Sequence, residues 1–196
     1  IDGTRKFEEE MDERYNLRPA GKKLQQSFFS DHFPEISAVN MDLPAKDIPC
    51  LIIAVKKNKR DHVRELHEQI CQTVPGIENI RMILYVEYNI DPGNLPVALW
   101  RFCNNLDPKR DNIRFEQHMA DQPGKRFCCL GLDGTRKTKE WDGFERDWPN
   151  IIVADDATIE AVDKKWESLG ISKLLPSPSL QYKSQMYGSG AVVEGL

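Results

Sequence analysis

The chain has 196 residues and a formal net charge of −4, from 27 basic and 31 acidic side chains. With 40% hydrophobic and 30% charged residues, it has the composition of one soluble globular domain of ordinary size, with room for an extension at either end. The charge balance argues against a nucleic-acid surface, no apolar run approaches the roughly 18–20 residues of a membrane span, and the acidic, polar start is unlike a signal peptide. The chain starts at Ile1 rather than Met, so it reads as a fragment of something longer or one that has lost its beginning.

Residues 1–20 are charged, with Glu8, Glu9, Glu10, Asp12, Glu13 and Arg14 clustered, and read as a linker or the end of a preceding domain. Gly21 to His32 is predicted as a helix carrying Leu24, Phe28 and Phe29 on one face, ended by Pro34. An edge-like strand from Ile36 to Leu43 and a turn from Pro44 to Pro49 precede the run Pro49–Lys56, PCLIIAVK, whose unbroken apolarity predicts a central strand. Asn58 to Val74 is an amphipathic helix with the stripe Val63, Leu66, Ile70 and Val74, closed by Pro75-Gly76. Met82–Val86 is the next buried strand, and the crossover is long enough for it to run parallel to Pro49–Lys56.

Asn89 to Asn94 is turn chemistry, in which Asn94 caps a helix with Pro96 in its first turn. Val97, Trp100 and Cys103 make the predicted inward face, and Asp107-Pro108 stops the helix. A strand at Asn112–Glu116 is expected to extend the strand–helix–strand pattern. Ala120–Lys125 is a polar loop and Phe127–Leu132 another short buried strand. Beyond it, Gly131-Leu132-Asp133-Gly134-Thr135-Arg136-Lys137 offers glycines, a hydroxyl and two cations to an anion, although the spacing matches no standard phosphate loop and an ordinary surface turn is the plainer account.

Trp141, Phe144 and Trp148 stand among charges in a loop expected to lie on another surface. A helix capped by Asp155 or Asp156 runs to Gly170, with Ile159, Val162, Trp166 and Leu169 on one face. From Ile171 on, prolines, serines and late glycines suggest an extended C-terminal arm, with Tyr182, Met186 and Tyr187 available to dock on a partner subunit. IDGTRK at the start recurs as LDGTRK at Leu132–Lys137 without matching flanks, so no duplicated domain is read from it. The fold class expected is α/β: an open, mostly parallel or mixed sheet with helices on its faces, plus that arm.

The five cysteines, Cys50, Cys71, Cys103, Cys128 and Cys129, are odd in number, irregular in spacing and mostly within apolar runs, which predicts reduced, buried thiols in a cytoplasmic protein. Cys128-Cys129 is the only cluster, and a strand sends neighbours to opposite faces, so no metal site is expected. His62 and His67 sit on a helix whose apolar stripe is elsewhere and are expected to be solvated; His32 and His118 are lone residues. No serine or cysteine nucleophile has a visible partner.

Several segments, in order, resemble the C-terminal domain of the UbiD family of decarboxylases. They are Phe33-Pro34-Glu35-Ile36 after an apolar helix; the aliphatic strand Leu51–Val55 ending in Lys56-Lys57; Tyr85-Val86-Glu87-Tyr88-Asn89-Ile90-Asp91 with Trp100 in the next helix; Asp107-Pro108-Lys109-Arg110-Asp111; Gly131-Leu132-Asp133-Gly134-Thr135 with Lys137; and Arg146-Asp147-Trp148-Pro149-Asn150-Ile151. The resemblance runs from about Gly21 to Ile171 and divides the chain into a linker at 1–20, a C-terminal α/β domain at 21–170 and an arm at 171–196. The chain departs from the family in three places: Glu87, Tyr88 and Asn89 stand where it has a run of aspartates, Asn105 where it often has arginine, and Phe127-Cys128-Cys129 where it has Gly-Ser-Lys.

The resemblance implies a prenylated-FMN-dependent carboxy-lyase that reversibly and non-oxidatively decarboxylates a small aromatic or α,β-unsaturated acid, as in ubiquinone- or menaquinone-type hydroxybenzoate decarboxylation. The cofactor, its divalent metal and the acid/base residues belong to the family's flavin-binding domain in the same polypeptide. No catalytic residue and no bound cofactor are therefore expected in this fragment, which would be inactive alone. Its implied role is to lid the active site and to assist a homo-oligomer. Asp91, Asn94, Gly131, Asp133, Thr135 and Lys137, beyond strand ends, are the candidates for facing substrate or the flavin domain. Arg101, Asp107, Arg110 and Asp111 are candidates for salt bridges between elements, against a plainer account of caps, turns and solvated charge. The alternative is a free-standing α/β module that binds an anion or docks a partner.

Overall fold

Cys50–Val55 is buried at all six positions, which only a strand covered on both faces achieves. Around it, the computed structural model describes residues 24–119, 124 and 126–193. The expected linker 1–20 with its IDGTRK copy, the start of the first predicted helix, most of the loop 120–125 and the last three residues of the arm lie outside the described residues. The chain divides into two compact units, Ile1–Arg136 and Lys137–Leu196.

The first unit contains strands β1 (Ile36–Asn40), β2 (Cys50–Val55), β3 (Met82–Glu87), β4 (Asn112–His118) and β5 (Arg126–Asp133), with helices α1 (Gln26–His32), α2 (Asp42–Ala45), α3 (His62–Thr73) and α4 (Leu95–Asn105). The strands form one open sheet in the order β1-β2-β3-β5-β4. β2 and β3 run parallel from Cys50 against Met82 to Val55 against Glu87, as the two apolar runs predict. β5 lies parallel on the other side of β3, while β1 and β4 pair antiparallel at the two edges. The sheet is therefore mixed, and its α/β class agrees with the sequence.

One topological expectation fails. The strand after α4 does not continue the parallel series beside β3; β5 takes that place and β4 becomes the outer edge. β4 and β5 are joined by a short connection, which favours an antiparallel pair. Within β4, Arg114, Glu116, Gln117 and His118 are not buried, in keeping with an edge position.

Alternation along the strands splits the core in two. On one face Leu51, Ile53, Val55, Ile83 and Tyr85 pack with Phe29 of α1 and with Val63, Leu66 and Ile70 of α3. On the other, Ile52, Ala54, Leu84 and Val86 pack with Ala98 and Phe102 of α4. The inward face of α4 is thus Ala98, Phe102 and Asn105, not Val97, Trp100 and Cys103. Trp100 is exposed, with the Arg101 guanidinium 5.7 Å from the centre of its ring. The helix does start as predicted: the Asn94 side chain accepts from the Val97 N–H and Pro96 sits in the first turn.

The predicted turn at Pro44 opens instead as the single-turn helix α2, pinned by Asn40. The buried Asn40 side chain accepts from the N–H groups of Asp42 (2.9 Å) and Leu43 (3.2 Å) and donates to the carbonyl of Pro92 (2.8 Å). Asn40→Ala removes all three bonds and should lower unfolding stability by about 1–2 kcal/mol, read as a lower urea midpoint with an unchanged slope. An unchanged midpoint would show these bonds to be dispensable.

In the second unit, α5 (Lys139–Asp142) is capped by Thr138, and the Phe144 and Trp148 rings meet edge-on with centres 5.0 Å apart. The predicted helix up to Gly170 is two pieces, α6 (Asp156–Asp163), capped by Asp155, and α7 (Trp166–Leu169). Neither has a buried residue. Ile171 to Ser177 has no regular structure, and a 3-10 stretch follows at Pro178–Gln185. The chain then returns to Trp148–Ile151: Asn150 donates to the carbonyls of Tyr187 (3.0 Å) and Gly190 (3.0 Å), and Val193 N–H bonds to the Trp148 carbonyl. No helix among the described residues is long and apolar enough to cross a membrane.

Candidate functional site

The carboxyl ends of β2, β3 and β5 converge on the loop that follows β5, where an open α/β sheet ordinarily gathers ligands. Sequence reasoning places Gly131, Asp133 and Thr135 beyond the strand end; in the structure Gly131 and Asp133 lie within β5, opposite Ile83 and Tyr85 of β3, and only Thr135 follows it, while the donors of the segment have other partners. Four successive N–H groups end on protein oxygens. Asp133 N–H bonds to the Asp111 carbonyl (2.9 Å) and Gly134 N–H to the Tyr85 carbonyl (2.9 Å). Thr135 N–H bonds to Asp133 Oδ1 (2.9 Å) and Arg136 N–H to Glu87 Oε2 (2.8 Å). The Lys57 ammonium donates to the Arg136 carbonyl (2.8 Å), and Asn105 to the Gly134 carbonyl (3.0 Å).

Lys57, Glu87, Asn105, Thr135 and Arg136 are all buried. Groups that a low-dielectric interior would penalise are here tied to one another, and this fixes where β2, β3, α4 and the β5 loop meet. With its backbone donors consumed, the segment 133–136 is no cradle for a phosphate, so a flavin phosphate does not fit these residues.

The other candidates fall nearby on separate loops. Asp91 is exposed, and its Oδ1 accepts from the Gly93 N–H (2.8 Å), closing the turn after β3. Asn94 is exposed and caps α4. Arg110 and Asp111 pair through two bonds of 2.7 Å, and Asp111 Oδ2 also accepts from the Asp107 N–H (2.8 Å). Asp107 in turn accepts from the N–H groups of Lys109 and Arg110, which hold its carboxyl below the usual carboxylate range. These three charges close the connection from α4 to β4. Lys137 opens the second unit and is buried.

Sequence reasoning missed a second cluster altogether. His62 and His67, expected in solvent, are both buried. His62 accepts from the Asn58 N–H at Nδ1 (3.2 Å), and its Nε2 lies 3.4 Å from Glu35. His67 Nδ1 lies 2.9 Å from Tyr85 Oη, and its Nε2 lies 3.7 Å from Cys71 Sγ and 3.4 Å from the Cys129 carbonyl oxygen. Gly131 makes this possible: a Cβ there would stand 2.7 Å from the His67 ring. The signal that was present is the spacing of His67 and Cys71, four apart on one helix face beside the apolar stripe.

Contact with the Cys129 thiol, reinforced by the His67 imidazole, brings the Cys71 thiol down to about 6, while the same contact and burial push Cys129 far up. Burial alone pushes Cys50 up to about 11. The expectation of buried thiols holds for Cys50, Cys71 and Cys129 but fails for Cys103 and Cys128, which are exposed. Cys128 and Cys129 do point to opposite sides of β5, as strand geometry requires. At the amino ends of β2 and β3 an apolar cavity of about 530 Å³ is lined by Cys50, Met82, Phe115, Cys128, Cys129 and Leu130 among others.

The fold has solved counterparts. The vanillic acid decarboxylase of Sedimentibacter hydroxybenzoicus in its open form, with a truncated second subunit, superposes with a TM-score of 0.54 at 20% identity, over 72% of this chain and 31% of that one. A further open form gives 0.53 at 20% identity over 75% and 32%, and the closed form 0.52 at 19% over 79% and 32%. The chain thus spans about a third of the length of these counterparts, and at such identity the likeness is one of fold. Residues 18–124, more than half of the chain, match the family of 3-octaprenyl-4-hydroxybenzoate carboxy-lyase C-terminal domains. With the motif order, the mixed sheet and that match in agreement, this chain belongs to the UbiD family of carboxy-lyases, in its C-terminal domain.

Proposed function

We propose that the chain is the closing domain of a decarboxylase that acts on a small aromatic or α,β-unsaturated carboxylic acid, hydroxybenzoates included, reversibly and without net oxidation. The observation that carries this reading is the family match over residues 18–124. Prenylated FMN, where bound, supplies the electron sink for carbon–carboxylate cleavage. In this reading the flavin and its divalent metal are held by a flavin-binding domain of the same polypeptide, because the loop 133–136 spends its donors on the protein itself. This chain's part is to cover that domain, exclude water and complete the substrate wall. The related vanillic acid decarboxylase exists in open and closed forms, which is the movement proposed here.

Asp91 and Asn94, on the exposed rim beyond β3, are assigned to the face turned toward the flavin domain, with Gly131, Asp133 and Thr135 supporting the loop behind it. The unburied apolar side chains Val162, Leu169, Ile171 and Leu175 of the second unit supply surface for assembly into a homo-oligomer. The protein is assigned to the cytoplasm, in accord with its free thiols.

The test is carbon dioxide release from a panel of aromatic and unsaturated acids, using the cofactor-loaded full-length polypeptide, the same polypeptide truncated before this chain, and the chain alone. Truncation should cost on the order of a hundredfold in kcat/KM, and the isolated chain should show no turnover. Full activity in the truncated protein would overturn the closing role. An intact, loaded protein inert toward every acid in the panel would overturn the decarboxylase reading.

A further inference from the structure

The decarboxylase reading has no use for the side chains of His67, Cys71 and Cys129. They come from two elements, α3 and β5, and all three are buried, at 0%, 4% and 3% exposure. Their potential ligand atoms lie within 4.8 Å of one another, and the His67 Nε2 to Cys71 Sγ distance is 3.7 Å. An ion bound at about 2.3 Å to sulfur and about 2.0 Å to nitrogen in tetrahedral geometry spaces its ligand atoms roughly 3.5–3.8 Å apart. The set is close to that spacing already, and small cysteine side-chain rotations would close the rest.

We propose that His67 Nε2, Cys71 Sγ and Cys129 Sγ form a buried site for a thiophilic metal ion, Zn²⁺ being the ion of choice. Two sulfurs and an imidazole select a soft or borderline cation and disfavour Mg²⁺ or Ca²⁺, which take oxygen ligands. The charges balance as well. The ion displaces one proton from each thiol, and two thiolates with one neutral imidazole cancel its two positive charges, which an apolar interior requires. The imidazole already has the orientation of a ligand. Its Nδ1 lies 2.9 Å from Tyr85 Oη, a partner that can accept from Nδ1–H once Nε2, 3.7 Å from Cys71 Sγ and 3.4 Å from the Cys129 carbonyl oxygen, gives its lone pair to the ion.

Gly131 completes the arrangement by leaving the ring its space, since a Cβ would stand 2.7 Å from it. Three protein ligands leave one position for water or a small ligand. The site lies within the first unit and needs neither the flavin domain nor substrate, so its failure and that of the decarboxylase reading are separable.

The experiment is metal analysis of the purified 196-residue chain after exposure to excess Zn²⁺ and removal of loosely held ions. One equivalent of zinc per chain is expected. Replacement by Co²⁺ should bring thiolate-to-metal charge-transfer absorption in the near ultraviolet, a signature that needs no variant. Cys71→Ser and Cys129→Ser should each reduce retained zinc at least tenfold, while Cys103→Ser and Cys128→Ser, at exposed thiols, keep it. Circular dichroism separates a lost site from a lost fold. Cu⁺ taken up in place of Zn²⁺ with the same cysteine dependence would support the site. Zinc held equally by the Cys71→Ser protein, or a wild-type chain that gives neither retained metal nor a thiolate–cobalt band, would overturn it.

Discussion

Replacing Gly134 with alanine should destabilise the first unit by about 2–3 kcal/mol, the upper part of the range for overpacking. The added Cβ would stand 2.4 Å from Phe102 Cδ2 and 3.0 Å from the Tyr85 carbonyl oxygen. The ring cannot swing clear without leaving the core, where Phe102 is buried beside Ala98, Leu84 and Val86. The backbone cannot retreat either. Gly134 N–H is bonded to that same Tyr85 oxygen, and the Gly134 carbonyl accepts from buried Asn105. Its backbone lies outside the left-handed region, so neighbours rather than conformation demand the glycine. Gly93→Ala is the control. There the Cβ would meet only the exposed Asp91 carboxylate, at 3.1 Å, and the change should cost less than about 1 kcal/mol. Equal urea midpoints for the two variants would refute this account of the junction between β3, α4 and the β5 loop.

Ile53→Ala should be costlier still, about 3–4 kcal/mol. Ile53 is fully buried in β2, opposite Val39 of β1 and Tyr85 of β3, on the face covered by α1 and α3. Neighbours on both sides are held by strand pairing, so the cavity left by the lost atoms has little room to collapse. The comparison is Ile152→Ala: that isoleucine is 84% exposed, and its truncation should change stability by no more than about 0.5 kcal/mol. Both are read from urea unfolding followed by circular dichroism. A loss below about 1 kcal/mol for Ile53→Ala would mean that β2 is not the centre of the core.

The junction tested by Gly134→Ala also shows how function and packing share residues. Gly131 and Gly134 stand out in the sequence as the glycines of a loop suited to an anion. In the structure each yields its space to a side chain from elsewhere, His67 for one and Phe102 for the other. Asp133 and Thr135 bond to each other within the same loop. Residue type and spacing were legible, but their use was not, because the acceptors that consume the loop's N–H groups arrive from β3 and from Asp111.

Where local chemistry suffices, the sequence was enough by itself. Unbroken apolar runs at Cys50–Val55 and Met82–Val86 can only be doubly covered strands, and a crossover helix between them makes them parallel. Asn94 with Pro96 starts a helix by satisfying or dispensing with its first N–H groups, and the ordered motifs were sufficient to point to the family. What only the tertiary structure decided is which of several equally periodic options is realised. Val97 with Trp100 and Ala98 with Phe102 are both helix-spaced stripes, and the choice depends on how α4 rests on the sheet. The place of β5 between β3 and β4 is likewise a matter of pairing between distant segments. His67 is polar by composition, yet a hydroxyl from β3 and the space above a glycine in β5 bury it beside two thiols. Burial of a polar side chain is set by partners far along the chain, and a one-dimensional pattern carries no record of them.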